Sequence, residues 1–431
     1  MGLNQGQQDA AKKLFHFVVS DKKEFCLSGP AGVGKTHMLK YIVDNILTEY
    51  TNSCKLLNLP QTLKNYAITA TTNKAADVLS LATNLPTQTI HSYLNLMVYN
   101  DYENGKTKIG KTKSWMKISN TIVFVDEASM IDPILHKFIH ETLDDTCKII
   151  YIGDHCQMAP VFHKISPIYD NPPMFVELTE PVRNANQPRL KDLCDQLRTT
   201  VQTGKFAPIR EFPGVIDYVD DDQMKDILHT KFLDEDINSR ILCFTNSRVH
   251  EFNHYIRGVR GYADTYQKDE ILINNLAMVE GKPSLSVDQM VKIDRITQPP
   301  TTMLIDDSDP NSQMGYYKAI LTNPDGYHKV FQKEVMIPTD QNQYTQLINR
   351  FKNQKNWRRY FYLKNYYCDL RQKDASTVYK AQGSTYDSVV IDLGNISECR
   401  DYDQVARMLY VAASRASNRI YLFGKLASRY T

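Results

Sequence analysis

No two of the eight cysteines stand in a C-x-x-C spacing. That speaks against the usual zinc ribbon. Scattered single cysteines suit free thiols in a reducing compartment. Long apolar runs are also missing. No stretch approaches the ~20 residues that span a bilayer, so no membrane partner is expected. The first residues hold no basic segment followed by an apolar one, and Gly6 stands where a myristoylation signal needs Ser or Thr. A cytoplasmic protein is the expectation. Neither sign of charge is in excess: Lys plus Arg number 51 and Asp plus Glu 49, for a formal net charge of +2. So even a balance neither demands nor excludes nucleic acid, because a channel needs only local positive charge. What remains is a globular composition, 42% hydrophobic and 23% charged, over 431 residues, room for two or more domains.

One stretch organises the chain. Phe25 to Leu27 read as a short apolar strand. Gly29-Pro30-Ala31-Gly32-Val33-Gly34-Lys35-Thr36 follow, and then Met38, Leu39, Ile42, Val43, Ile46 and Leu47 recur at helical spacing. Strand, glycine-rich loop and helix together are the context that G-x-x-x-x-G-K-[ST] requires. Backbone N–H groups of such a loop cradle phosphate oxygens, and the helix N-terminus adds its dipole. Lys35 is the candidate for the β- and γ-phosphates of ATP, and the Thr36 hydroxyl for Mg²⁺.

A second apolar strand, Thr121 to Val125, delivers Asp126 and Glu127 at its C-terminal end. In an NTP site Asp126 would hold Mg²⁺ and Glu127 would deprotonate the attacking water. A third strand, Lys148 to Ile152, leads to Gly153-Asp154 and Gln157, placed to feel the γ-phosphate and the next domain together. Upstream of the loop, Gln7 and Gln8 offer amides that suit an adenine edge. After the strand Tyr66 to Ala70, Thr72 and Asn73 either cap a helix or hold a phosphodiester. Residues 94–118 carry Lys106, Lys108, Lys111, Lys113 and Lys117 around Asn104-Gly105. This is a basic, hairpin-like insertion, or a solvated edge whose lysines block aggregation.

The second half repeats the α/β pattern without a glycine-rich loop. Arg240 to Phe244 is a strand, and Thr245-Asn246 opens a helix. Short β-like runs (Gln289 to Ile296, Tyr316 to Leu321, His328 to Ile337) and a turn at Asn323-Pro324-Asp325-Gly326 interrupt it over 266–372, as in a small β-barrel. The aromatics of Phe351 to Lys373 either stack bases or, more in keeping with helical spacing, pack a core. His250-Glu251-Phe252-Asn253-His254 matches the zinc-peptidase helix H-E-x-x-H. It lacks a third ligand at a telling spacing, and it follows a buried strand within the α/β repeat. His136 and His140, also four apart, lack the glutamate and are expected at the surface.

The phosphate loop, Asp126-Glu127-Ala128-Ser129, Gly153-Asp154 with Gln157, Thr377-Val378-Tyr379-Lys380-Ala381-Gln382-Gly383 and Tyr410-Val411-Ala412-Ala413-Ser414-Arg415-Ala416 occur in that order. This set resembles superfamily 1 helicases of the B branch, the RecD and Pif1 type. In size and layout it is most similar to a compact phage member. The resemblance implies two tandem RecA-like α/β domains, with a β-hairpin insertion in the first and an SH3-like barrel in the second. The implied bounds are 1–180 for the first domain (hairpin about 94–118), 181–265 with 373–431 for the second, and 266–372 for the barrel. It implies an adenine contact at Gln7, ATP binding at Gly29 to Thr36 and Gly383, and coupling at Gln157. It also implies γ-phosphate arginines at Arg183 and Arg415. Thr72, Asn73, His91, Asn246, Tyr379 and Lys380 become single-strand DNA contacts. Thr71 stands where many relatives have proline, and Tyr379 where many have histidine. The implied activity is ATP-dependent translocation on single-stranded and forked DNA, 5′ to 3′, by a monomer. The implied setting is replication, recombination or repair, in a host's cytoplasm if phage-encoded, beside a single-strand-binding protein or replisome component. Two alternatives stand beside it: an ATPase remodelling RNA or protein–nucleic acid complexes, and a zinc peptidase on His250 and His254. A catalytically silent DNA-binding module is disfavoured by Lys35 and Glu127.

Overall fold

A computed structural model describes residues 2–160, 163–180, 187–234, 238–263, 265–276, 285–324 and 332–430. The apolar runs form two parallel sheets, as strands buried on both faces do. The first sheet has six strands in the order Thr87–Thr89, Asn65–Ala70, Thr121–Asp126, Lys148–Gly153, Glu24–Ser28 and Phe175–Glu177. Its core joins Leu14, Phe17, Phe25, Met38, Leu39, Phe124 and Ile150. The helix Gln5–Val19 opens with a capping box between Asn4 and Gln7. At its other end Lys148 is buried beneath the last turn and donates to the carbonyls of Phe17, Ser20 and Lys22. Burial lowers that ammonium to about 8.

The second sheet has five parallel strands in the order Ala375–Thr377, Ser239–Cys243, Tyr386–Asp392, Ala416–Phe423 and Ile216–Val219. Its core centres on the helix Tyr402–Ala413, in which Val405 and Met408 to Ala413 are all buried. Between its strands the chain inserts an antiparallel sheet in the order Gln332–Pro338, Gln313–Thr322, Met290–Leu304, Ile271–Asn274 and Leu370–Gln372. The strand Met290–Leu304 is far longer than the run at 289–296, with register shifts after Ile293, Ile296 and Gln298. Those bulges break the alternation that marks a strand in sequence. The turn expected at 323–326 falls partly outside the described residues.

Leu96–Asp101 and Lys106–Lys111 pair as an antiparallel hairpin. Asp101 shapes its tip, accepting from the backbones of Glu103 and Asn104 and pairing with Lys108 at 2.6 Å. The tip rests on the helix Trp357–Tyr366 of the other insertion. Tyr102 meets Phe361 edge-on at 4.9 Å, and Asn100 bonds Asn365. Gly105 has φ +65°, and a Cβ there would lie 2.2 Å from the Trp357 ring, so glycine is required twice over. Phe351 and Tyr367 are buried in the insertion's own core, and Phe361 is buried beneath Tyr102 of the hairpin.

Candidate nucleotide and nucleic-acid site

The phosphate loop leaves the strand Glu24–Ser28 at Gly29, where a Cβ would stand 2.5 Å from the Leu178 carbonyl. Gly34, at φ +84°, starts the helix Lys35–Tyr41. Lys35 Nζ donates to the carbonyls of Gly29 and Pro30 at 2.7 and 2.9 Å. Gln7 is buried beside the loop, its amide donating to the Val33 carbonyl at 3.2 Å.

Asp126 ends the strand two places over from the loop strand, across Lys148–Gly153. Burial, then the charge of Glu127, pushes its carboxyl up to about 6, against the pull of Lys35. Glu127 itself has φ +50° and ψ +38°, a left-handed conformation that costs a non-glycine residue of order 1–2 kcal/mol. Strain of this kind is held where function needs it. Thr71 donates to the Glu127 carbonyl, and the Glu127 carboxylate faces Gly383 of the second domain, 3.9 Å from where a Cβ would be.

Asp126 yields a test of stability. Its folded pKa lies above the unfolded value of about 3.9, so ionisation opposes folding. The stability present at low pH is lost as pH rises through about 6. Asp126→Asn is therefore expected to stabilise the nucleotide-free protein at pH 8, by on the order of 1 kcal/mol after allowance for partial exposure. The gain should vanish below about pH 4, as read from urea midpoints.

A polar network behind Gly153 joins the domains. Asp154, fully buried, accepts from Arg198 at 2.5 Å and from the Tyr410 hydroxyl at 2.6 Å, and Arg198 also pairs with Glu177. Arg407 donates to the carbonyls of His155 and Gln157. The Gln157 Oε1 is buried without a hydrogen bond. Sequence reasoning missed Arg198 and Arg407, since a lone arginine on an amphipathic helix carries no local signal. Tyr410→Phe should cost about 1–3 kcal/mol, the usual penalty for a buried acceptor left short of a donor. Unchanged denaturant midpoints would discount the network.

The structure brings Asn246, Tyr379 and Lys380 to one cavity of about 770 Å³, with His163 and Lys164 from the first domain. Tyr379 accepts from Gln404 at 2.6 Å, and Lys380 pairs with Asp288 and bonds Asn275. A neighbouring cavity of about 350 Å³ adds Lys74 and Arg240, which the sequence reading passed over. Lys74 crosses the gap to the Ser384 hydroxyl at 2.6 Å, and Arg415 holds the Ser384 carbonyl. Thr72 caps the helix Asn73–Thr83, so the capping role is real. Thr72, Asn73 and His91 do not line either cavity. Arg183 lies outside the described residues. As for the peptidase reading, His250 Nε2 faces an Arg371 nitrogen at 2.6 Å and Glu251 pairs with Arg248. A guanidinium against the would-be ligand opposes a cation there.

Residues 14–163 match the AAA domain model, and residues 374–423 match the UvrD-like helicase C-terminal domain. The chain is 24% identical over 457 residues to the ATP-dependent DNA helicase dda of Enterobacteria phage T4, covering 97% of this chain and 98% of that one. An uncharacterised protein of Acanthamoeba polyphaga mimivirus is 24% identical over 492 residues, covering 97% and 99%. Among solved structures, a Pif1 helicase from Bacteroides in complex with ADP-AlF3 and ssDNA superposes with a TM-score of 0.51 at 15% identity. It covers 99% of this chain and 94% of that one, and shares the two-domain fold. With both domain models in their expected order and relatives aligned end to end, the chain is similar over its whole length to the ATP-dependent DNA helicase dda and shares its fold with Pif1 helicase.

Proposed function

We propose that this protein hydrolyses Mg-ATP to move 5′ to 3′ along single-stranded DNA and opens the duplex ahead of it. The observation that carries this reading is the seam at Glu127. The base candidate of one domain faces Gly383 of the other, and Lys74 and Ser384 bond across the same gap. Chemistry at the phosphate and closure of the domains therefore share residues. The Thr36 hydroxyl and the Asp126 carboxylate are hard oxygen donors that suit Mg²⁺, and a cation would relieve the charge that Asp126 and Glu127 concentrate. Bound there, the ion would neutralise phosphate charge. Lys35 would bind the β- and γ-phosphates, and Gln7 would meet the adenine. Glu127 would take the water's proton. Arg415, with Arg183, would bring positive charge from the second domain.

Closing and opening of the gap would shift the grip on DNA between Thr72, Asn73 and His91 on one side and Asn246, Tyr379 and Lys380 on the other. We read the 266–372 insertion as a small SH3-like barrel and the working unit as a monomer, acting beside a single-strand-binding protein or replisome component. Unwinding of 5′-tailed and 3′-tailed duplexes tests the reading. Only the 5′-tailed substrate should open, and only with ATP. Opening of 3′-tailed duplexes alone would reverse the polarity, and ATPase without opening of either would favour a remodelling ATPase.

A further inference from the structure

The helix Pro133–Thr142 carries His136 and His140 one turn apart, on one face. That face covers the first residue of the phosphate-loop strand, Glu24. His140 Nε2 lies 3.0 Å from His136 Nε2 and 2.9 Å from Glu24 Oε1. All three donor atoms fall within 4.8 Å of one another. Two imidazoles meeting Nε2 to Nε2 need one proton between them, or their lone pairs repel. Glu24 Oε1 is shielded from solvent with His140 as its ion-pair partner, so His140 bridges His136 and Glu24 and the three groups converge on one point. Glu141, the next residue, is turned to Lys111 and Lys137 and does not compete.

We propose that Glu24, His136 and His140 form a binding site for one zinc ion, with water in the fourth position. Two imidazoles and a carboxylate are a donor set that zinc favours over magnesium. A tetrahedral zinc with arms of ~2.0–2.1 Å spaces its donors roughly 3.3 Å apart, so the two distances from His140 open by only a few tenths of an ångström. The ion would pin the helix to the start of the strand that ends in the phosphate loop, and would stabilise the fold by linkage. The site is separate from the nucleotide residues, so the inference does not depend on the helicase reading.

The test uses the full chain, stripped with a chelator and free of nucleotide. Titration with zinc chloride should fill one site per chain and raise the melting temperature, and cobalt(II) should give a tetrahedral d–d spectrum without thiolate bands. His136→Ala, at a partly buried position, and His140→Gln, at a half-exposed one, should melt like the wild type in chelator. They should lose zinc affinity by more than about tenfold, with its effect on melting. Zinc binding unchanged in the double variant, thiolate charge-transfer bands with cobalt, or wild-type melting indifferent to zinc would each overturn the assignment. The cobalt spectrum of the wild type decides even if a variant fails to fold.

Discussion

Glu127→Gln is expected to bind ATP as the wild type does and to lose DNA-stimulated hydrolysis by roughly 10²–10⁴-fold, the usual worth of a positioned general base. The amide keeps the size and shape of the side chain but cannot accept the water's proton. Position 127 also holds its backbone at φ +50° at the end of a buried strand, so an isosteric change is needed to isolate the chemistry from the strain. Nucleotide affinity measured with a fluorescent ATP analogue, beside steady-state phosphate release, separates binding from turnover. Near-normal release would remove Glu127 from the base role. A matched loss of affinity would mean that the carboxylate organises the site and does not act on water.

How far this could be read from sequence depended on range. The phosphate loop was legible because strand, glycines and helix follow one another directly between Glu24 and Tyr41, and each segment's local preference agrees with its neighbours. Asp126 and Glu127 were legible because four buried apolar residues, Ile122 to Val125, precede them. The interdomain residues were not. Arg198 reaches Asp154 across 44 positions and Lys74 reaches Ser384 across 310, and neither arginine nor lysine on a helix announces a partner. The long strand Met290–Leu304 was truncated in the reading because two prolines and successive bulges interrupt its alternation. The pair His136 and His140 looked like surface histidines because their third neighbour, Glu24, precedes them by more than a hundred residues. In each case the sequence carries the residue types, and the fold supplies the distances.

The hairpin offers the second large effect. Replacing residues 97–110 with a short Gly-Ser turn should leave single-strand-stimulated ATPase within about twofold, while duplex unwinding falls by at least about tenfold. Separating one base step costs ~1.4 kcal/mol of stacking on average, a factor of about ten in an equilibrium, so a motor without a wedge must wait for fraying. A wedge must be stiff, and an isolated two-stranded ribbon is marginal in water. Here the ribbon is braced. Tyr102 rests on Phe361, Gly105 lies against Trp357, and Asn100 bonds Asn365, so the insertion of one domain leans on the insertion of the other. Met97, Val98 and Tyr99 remain exposed along the ribbon, apolar surface suited to unstacked bases. Trp357→Ala removes part of the brace and leaves the ribbon's sequence intact, so it should lower unwinding by less than the replacement and spare the ATPase. Loss of ATPase together with unwinding in the replacement would assign the hairpin to folding or strand binding. Full unwinding without it would put the wedge elsewhere in the molecule.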